Sequence, residues 1–140
     1  RKVELELSTT DLPAIVHGDP VSLKELTSNL VENAIRYNKE GGHVMIEVAL
    51  NGAVELAVED DGIGIPEGER EQVFERFYRL NRSASMGIEG SGLGLSIVRE
   101  IARAHGASLS IASGRDGNGT RIAIRFPLVE DTETKRTGTA

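Results

Sequence analysis

Two asparagines and an arginine recur on one side of a predicted helix in the first third of the chain. Asn29, Asn33 and Arg36 follow one another at helical spacing, which places them in one row. Asparagine is a poor helix former because its amide competes for backbone hydrogen bonds, so two of them one turn apart need an explanation. The row is either a solvated outer face or a set of side chains that meet a ligand, and the helix alone leaves both open.

A carboxylate followed by glycines ends a predicted strand further along, in residues 60–66 (DDGIGIP). A carboxylate at a strand end, such as Asp60, can accept a hydrogen bond from an exocyclic amine like adenine N6, and the glycines can admit a flat ring. The same residues are also typical of a plain turn that leaves a strand.

A second glycine cluster, residues 90–95 (GSGLGL), precedes another predicted helix. The free N–H groups and the positive dipole end of a helix start suit a phosphate. The chain has no Gly-Lys pair, which excludes a P-loop. The third glycine comes too early for a dinucleotide-binding motif, and a polar stretch rather than a strand precedes it. Taken alone, the cluster favours ordinary flexibility at a helix start.

The elements that must position these residues follow from apolar spacing and from turn residues. The predicted strands are residues 2–7, 14–17, 43–50, 54–59, 107–112 and 120–128. The predicted helices are residues 20–38, 69–77 and 96–105, and the predicted loops are residues 60–66 and 78–89. Asn51-Gly52 predicts a hairpin between the third and fourth strands. This order indicates an α/β sandwich with a mixed or largely antiparallel sheet, covered on one face by helices.

The long helix at residues 20–38 has clear start and stop signals. Asp19 suits the N-cap, Pro20 suits the first helical position, and Gly41-Gly42 follows the end. Its apolar stripe, which should be buried, consists of Leu23, Leu26, Leu30, Ala34 and Tyr37.

Composition bounds the class of protein. The 140 residues suit one domain, predicted at residues 1–128, and the polar residues 129–140 should be a disordered tail. A net charge of -6 disfavours nucleic acid as a partner, and no apolar run reaches the ~20 residues of a membrane span. Without cysteine there is neither a disulfide nor a thiolate metal site. The chain begins without Met on a strand-like segment, so we expect it to be part of a longer protein.

Four motifs in this order resemble those of one protein family. They are an N box at residues 29–37 (NLVENAIRY), a G1 box at 60–65, an F box at 74–79 (FERFYR) and a G2 box at 90–95. These motifs look like those of the catalytic ATP-binding domains of bacterial two-component sensor histidine kinases, and the match covers roughly residues 19–128. The resemblance implies the Bergerat-type ATP-binding sandwich shared with type II topoisomerase ATPases and the large heat-shock chaperone. The fold implied for this chain is a two-layer α/β (α+β) sandwich, in which three helices cover one face of a mixed, largely antiparallel five-stranded sheet.

The resemblance also implies site residues. Asp60 would hold the adenine amine, Asn33 would ligate Mg²⁺, and Arg79 would reach the γ-phosphate of ATP. Residues 78–89 would form a mobile lid over the nucleotide. The implied catalytic residues are Asn29, Asn33 and Arg79. The implied nucleotide-binding residues are Asn29, Asn33, Arg36, Tyr37, Asp60, Gly62, Gly64, Ile65, Arg79, Gly90, Gly92, Leu93, Gly94, Leu95 and Thr120.

The residue at position 29 distinguishes subfamilies. Hydrolytic relatives carry a water-activating glutamate where this sequence has Asn29, and a neutral amide cannot act as that base. We therefore expect ATP to be held rather than hydrolysed, although Glu25 and Glu32 lie near enough on the helix to offer a less favoured substitute base.

The resemblance implies partners that are absent from this chain. None of His17, His43 and His105 has the setting of a phospho-accepting histidine, so the acceptor should lie on a separate dimerisation domain of the same kinase. A response-regulator receiver domain would be the next partner. The isolated domain should be a monomer, and the full-length kinase should be a homodimer in the bacterial plasma membrane with this domain in the cytoplasm. The alternatives are an anti-sigma-type serine kinase and a regulatory module that binds ATP without transfer.

Overall fold

The computed structural model describes residues 3–9, 14–50, 52–75 and 94–127. This part of the chain contains five strands, two α-helices and three short 3₁₀ turns. The strands and helices are β1 (Val3–Ser8), α1 (Pro20–Arg36), β2 (Gly42–Leu50), β3 (Val54–Asp60), α2 (Gly94–Ala104), β4 (Ser108–Ser113) and β5 (Thr120–Phe126). The 3₁₀ turns are Glu67–Glu69, Gln72–Phe74 and Arg115–Gly117.

The five strands form one mixed sheet in the order β1-β2-β3-β5-β4. β1 runs parallel to β2, and the other neighbours are antiparallel, which confirms the predicted mixed and largely antiparallel sheet. In this register Asp60 lies opposite Val44 on one side and Thr120 on the other. The end of the central strand β3 therefore carries the carboxylate that the sequence singled out.

Both helices contribute to one hydrophobic core with the sheet. From α1 the core takes Leu26, Leu30 and Ala34, which are the middle of the predicted apolar stripe. The alternate residues of the strands carry charges instead. Arg121 lies 2.9 Å from Glu47 and 3.2 Å from Glu59, so ion pairs link three neighbouring strands. The sheet thus has one apolar face and one charged face.

The start of α1 agrees with its sequence signals. Asp19 is the N-cap, and its carboxylate accepts hydrogen bonds from the backbone and hydroxyl of Ser22 at 3.2 and 2.7 Å. These bonds lower the pKa of Asp19. The helix α1 ends at Arg36, two residues earlier than predicted. Tyr37 is its C-cap, and the side chain of Asn38 donates a hydrogen bond to the His43 carbonyl at the start of β2.

The strand predicted at residues 14–17 is wrong. In the described part of the chain this segment belongs to no strand. Ala14 and Val16 pack against the core, while Ile15 and His17 are exposed. One-sided packing of an irregular segment therefore produces the same apolar alternation as a strand.

The helix predicted at residues 69–77 is also wrong in its described part, which forms the turns Glu67–Glu69 and Gln72–Phe74. A segment this short does not recover the cost of helix nucleation, and 3₁₀ bonds such as Glu75 N–H to the Gln72 carbonyl (2.9 Å) replace it. The described residues thus show two helices on the sheet instead of the three expected.

The predicted hairpin between β2 and β3 is confirmed by their antiparallel register, which pairs Leu50 with Val54. Gly52 in the connection has a φ of 68°, and Asn51 lies outside the described residues. The other boundaries that can be compared within the described residues lie within two residues of those predicted.

Candidate functional site

A cleft opens between α1, the loop after β3 and the start of α2. It encloses about 570 Å³ of empty space, a volume that includes its open mouth. Its walls consist of Asn33, Arg36, Tyr37, Asp60, Gly64, Ile65, Val73, Gly94, Leu95 and Thr120. The fold therefore brings together residues from the predicted N box, G1 box and G2 box, which are far apart in sequence.

Asp60 supplies a buried carboxylate to this cleft. Its side chain is 8% exposed, and its Oδ1 accepts a hydrogen bond from Gly62 N–H at 2.8 Å. Burial raises the pKa of Asp60 to about 6, although backbone hydrogen bonds from Gly62 and Thr120 act in the opposite direction. A buried carboxylate with so few donors of its own is suited to accept a further hydrogen bond from a ligand amine.

Glycines let the backbone close around Asp60. Gly119, with a φ of 72°, sits where a Cβ would overlap the Asp60 carbonyl oxygen. Gly64, with a φ of 76°, lines the cleft and lies against the backbone of Gly119. Gly62 does not line the cleft. A Cβ there would overlap the carbonyl oxygen of Tyr37, so Gly62 permits the loop to pack against the end of α1.

Arg70 fixes the far end of the same loop. Its Nε donates to the Ile65 carbonyl at 3.2 Å, and its Nη2 donates to the Ser113 hydroxyl at 2.9 Å. The loop that carries Gly64 and Ile65 is therefore tied to the end of β4.

Only part of the row formed by Asn29, Asn33 and Arg36 on α1 lines the cleft. Asn33 and Arg36 line the cleft, whereas Asn29 does not. The Asn29 Nδ2 donates to the Glu25 carbonyl at 2.9 Å, and its Oδ1 lies 3.4 Å from the place where a Cβ on Gly94 would be. The amide oxygen of Asn29 therefore points toward the first turn of α2.

The start of α2 forms the other end of the cleft through Gly94 and Leu95. The first N–H groups of a helix lack partners within the helix and attract anions. An amide side chain such as that of Asn33 can ligate a magnesium ion, and a helix N-terminus in the same cleft can hold the phosphates that share the ion.

Four predicted site residues, Arg79, Gly90, Gly92 and Leu93, lie outside the described residues, as does the predicted lid. One wall residue was missed by sequence reasoning. Val73 is buried in the second 3₁₀ turn and lines the cleft next to the core residue Phe74. An apolar residue directly before the F box could have indicated that Val73 lines the cleft.

Comparison with known proteins identifies the family. The family described as histidine kinase-, DNA gyrase B- and HSP90-like ATPases matches residues 18–130. The chain belongs to this family. Among curated proteins, the sensor histidine kinase WalK of Bacillus subtilis is 37% identical over 134 residues, which are 94% of this chain and 22% of WalK. The sensor-like histidine kinase SenX3 of Mycolicibacterium smegmatis is 40% identical over 90% of this chain and 33% of its own length.

Solved structures of this ATPase family agree with the fold. The mycobacterial sensor histidine kinase MprB has a TM-score of 0.78 at 35% identity, over 90% of this chain and 82% of that one. The ATP-binding domain of PrrB from Mycobacterium tuberculosis has a TM-score of 0.66 at 32% identity, over 89% and 80% of the two chains. The chain is therefore an ATP-binding domain of the sensor histidine kinase type.

This histidine kinase domain spans only a fifth to a third of the two curated relatives, by the shares of 22% and 33%. Among the helices of its described part, none combines the length and apolar character that crossing a membrane requires.

Proposed function

We propose that this domain binds Mg²⁺·ATP in the cleft and donates the γ-phosphoryl group to a histidine on a separate dimerisation domain of the same sensor kinase. The proposal is supported by the set of groups that line one cleft, namely the buried carboxylate of Asp60, the amide of Asn33 and the start of α2 at Gly94 and Leu95.

The adenine ring fits the Asp60 end. The carboxylate of Asp60 accepts the N6 amine, and the apolar side chains of Ile65 and Val73 contact the ring faces. Guanine presents a carbonyl oxygen at this position, which would face the carboxylate without a proton between them. The domain should therefore prefer ATP to GTP.

The phosphates fit the other end. The N-terminus of α2 at Gly94 and Leu95 offers N–H donors, and Arg36 adds a positive charge to the wall. Asn33 would present its amide oxygen to a magnesium ion that neutralises charge on the transferring group, and Asn29 would assist near the phosphates. From the sequence resemblance, Arg79 would meet the γ-phosphate.

The residue at position 29 favours transfer over hydrolysis. Its neutral amide cannot remove a proton from water, and its Nδ2 is already bonded to the Glu25 carbonyl. In the transfer step, a ring nitrogen of the acceptor histidine forms a P–N bond with the γ-phosphorus. The bond from that phosphorus to the β–γ bridging oxygen breaks, and ADP leaves with its electron pair.

The three histidines of this chain do not supply the acceptor. None lines the described cleft. His43 lies between the carboxylates of Glu4 and Asp61, and His105 accepts a hydrogen bond from the Asp19 backbone at 3.1 Å. His17 is exposed before the start of α1. These settings support an acceptor on another domain. A receiver domain would take the phosphoryl group next, and the parent kinase would be a homodimer in the plasma membrane with this domain in the cytoplasm.

The test is a transfer assay in which the dimerisation domain of the parent kinase is supplied separately, with ATP labelled in its γ-phosphate. We expect Mg²⁺-dependent labelling of that domain. Replacing its acceptor histidine by glutamine should abolish the label, and Asn33→Ala in this chain should strongly reduce it. ATP binding without any labelling of the partner would overturn the kinase proposal and leave a nucleotide-sensing module.

A further inference from the structure

One buried amide, Asn38, joins the end of α1 to two neighbouring segments. Its side chain is 4% exposed, and its Nδ2 donates to the His43 carbonyl at the start of β2 at 2.9 Å. Its Oδ1 accepts from the Lys39 N–H at 2.8 Å, and a further hydrogen bond joins the amide to the Asp61 carboxylate. A buried amide with its donors and its acceptor engaged holds its position firmly.

Two glycines make room for this junction. A Cβ on Gly42 would overlap the Asn38 amide, so β2 can start here only with glycine against that side chain. A Cβ on Gly62 would lie 2.9 Å from the Cα of Asn38 and would overlap the Tyr37 carbonyl. The Ile63 N–H then donates to that same Tyr37 carbonyl at 3.2 Å.

Asp61 closes the junction from the loop side. Its Oδ1 accepts the His43 N–H at 2.8 Å. Burial alone would raise the pKa of Asp61, but the hydrogen bonds from His43 and Asn38 lower it overall. The carboxylate is therefore ionised at neutral pH and tied to the same start of β2 that Asn38 binds.

Two of the segments that meet at this junction carry residues that line the cleft. Asn33, Arg36 and Tyr37 lie in the last turn of α1 and at its cap, and Asp60 and Gly64 lie on either side of the loop that packs on Tyr37. A shift of α1 relative to this loop would change the distance between Asn33 and Asp60 in the cleft.

We propose that Asn38 is a positioning residue of the nucleotide site, which sets the spacing between the α1 wall and Asp60. It does not line the cleft, so it acts through Tyr37, Gly62 and Asp61. This inference rests on the proposed ATP function. A purely structural role would lower stability and leave the nucleotide affinity of the folded protein unchanged.

The experiment compares Asn38→Ala with a matched control, Phe126→Leu. Phe126 is a buried core residue at the other end of β5 from Thr120, so its replacement should lower stability at a distance from the cleft. Nucleotide affinity is measured by calorimetry with Mg²⁺ under conditions in which urea titration shows each variant to be folded. Asn38→Ala should weaken ATP binding by about ten-fold, as expected for loss of buried hydrogen bonds that hold the site. The same substitution should weaken GTP binding less than ATP binding, so the ratio of ATP affinity to GTP affinity should fall.

A double variant separates packing from positioning. In the Asn38→Ala background, Gly42→Ala fills the vacated space and should recover stability without recovering ATP affinity. Alone, Gly42→Ala should be strongly destabilising because its methyl group meets the Asn38 amide. Where Asn38→Ala does not fold, Asn38→Ser and the double variant take its place. ATP affinity that stays within about two-fold of wild type in the folded variants would overturn the proposal.

A second readout distinguishes failure of this inference from failure of the ATP proposal. If the wild type binds no adenine nucleotide, the proposed function is wrong. The junction is then tested without ligand by hydrogen exchange at Ile63, whose N–H bonds to Tyr37. Asn38→Ala should accelerate that exchange by about ten-fold, whereas Phe126→Leu should accelerate it much less. Equal acceleration in both variants would overturn the positioning role.

Discussion

Asp60 should give the domain a pH dependence that can be isolated from that of every other group. Burial raises its pKa from 3.8 to about 6, so the folded state takes up this proton at a pH where the unfolded chain is still ionised. The stability that this proton contributes is fully present below pH 3.8 and is lost as the pH rises through about 6. Over the whole window the raised pKa corresponds to about 3 kcal/mol of unfolding free energy.

Asp60→Asn removes this titration and leaves the other titrating groups in place, so the difference between the two proteins isolates Asp60. The wild type should gain about 2 kcal/mol relative to the variant on going from about pH 7.5 to about pH 4.5. Urea unfolding followed by circular dichroism measures both free energies. If the difference in unfolding free energy between the two proteins stays constant over this range, the pKa of Asp60 is not raised.

The same proton competes with the ligand. The ionised carboxylate of Asp60 accepts the adenine amine more strongly than the protonated form does, so ADP affinity should fall, by up to about ten-fold, between about pH 7.5 and about pH 5 in the wild type, relative to Asp60→Asn. The phosphate titration of ADP itself is common to both proteins and cancels. Equal pH dependence in the two proteins would show that adenine does not bind at Asp60.

Three further outcomes are expected. Asn33→Ala should weaken nucleotide binding much more with Mg²⁺ than in EDTA, and an equal loss in both conditions would make Asn33 a structural residue rather than a metal ligand. Leu30→Ala, at a core position that is 1% exposed, should cost about 2–5 kcal/mol in urea unfolding, whereas Leu7→Ala at 67% exposure should cost little; similar losses would contradict the core assignment. The lid predicted at residues 78–89 stays a prediction, and its amides should gain protection from exchange when Mg²⁺ and a non-hydrolysable ATP analogue are added.

Local patterns in the sequence were sufficient for the elements whose ends carry their own signals. Asp19 and Pro20 marked the start of α1 because capping depends on residues next to one another. The apolar spacing of Leu26, Leu30 and Ala34 marked its buried face because one helix determines that spacing.

Features decided by distant contacts could not be predicted in the same way. Residues 14–17 pack on the core without joining the sheet, and no local pattern separates that packing from a strand. Gly62 was expected among the nucleotide-binding residues. It does not line the cleft, and its small size is needed against the Tyr37 carbonyl, a contact between segments that are far apart in sequence. For the same reason no local pattern indicated that Asn38 would join three segments.

Binding of adenine nucleotides in the cleft through Asp60 is tested most directly by calorimetric titration of the domain with ATP and with GTP in the presence of Mg²⁺. We expect clear binding of ATP, much weaker binding of GTP, and a loss of about 1–3 kcal/mol in ATP binding for Asp60→Asn. Equal affinity for the two nucleotides, or an unchanged ATP affinity in Asp60→Asn, would contradict binding through Asp60.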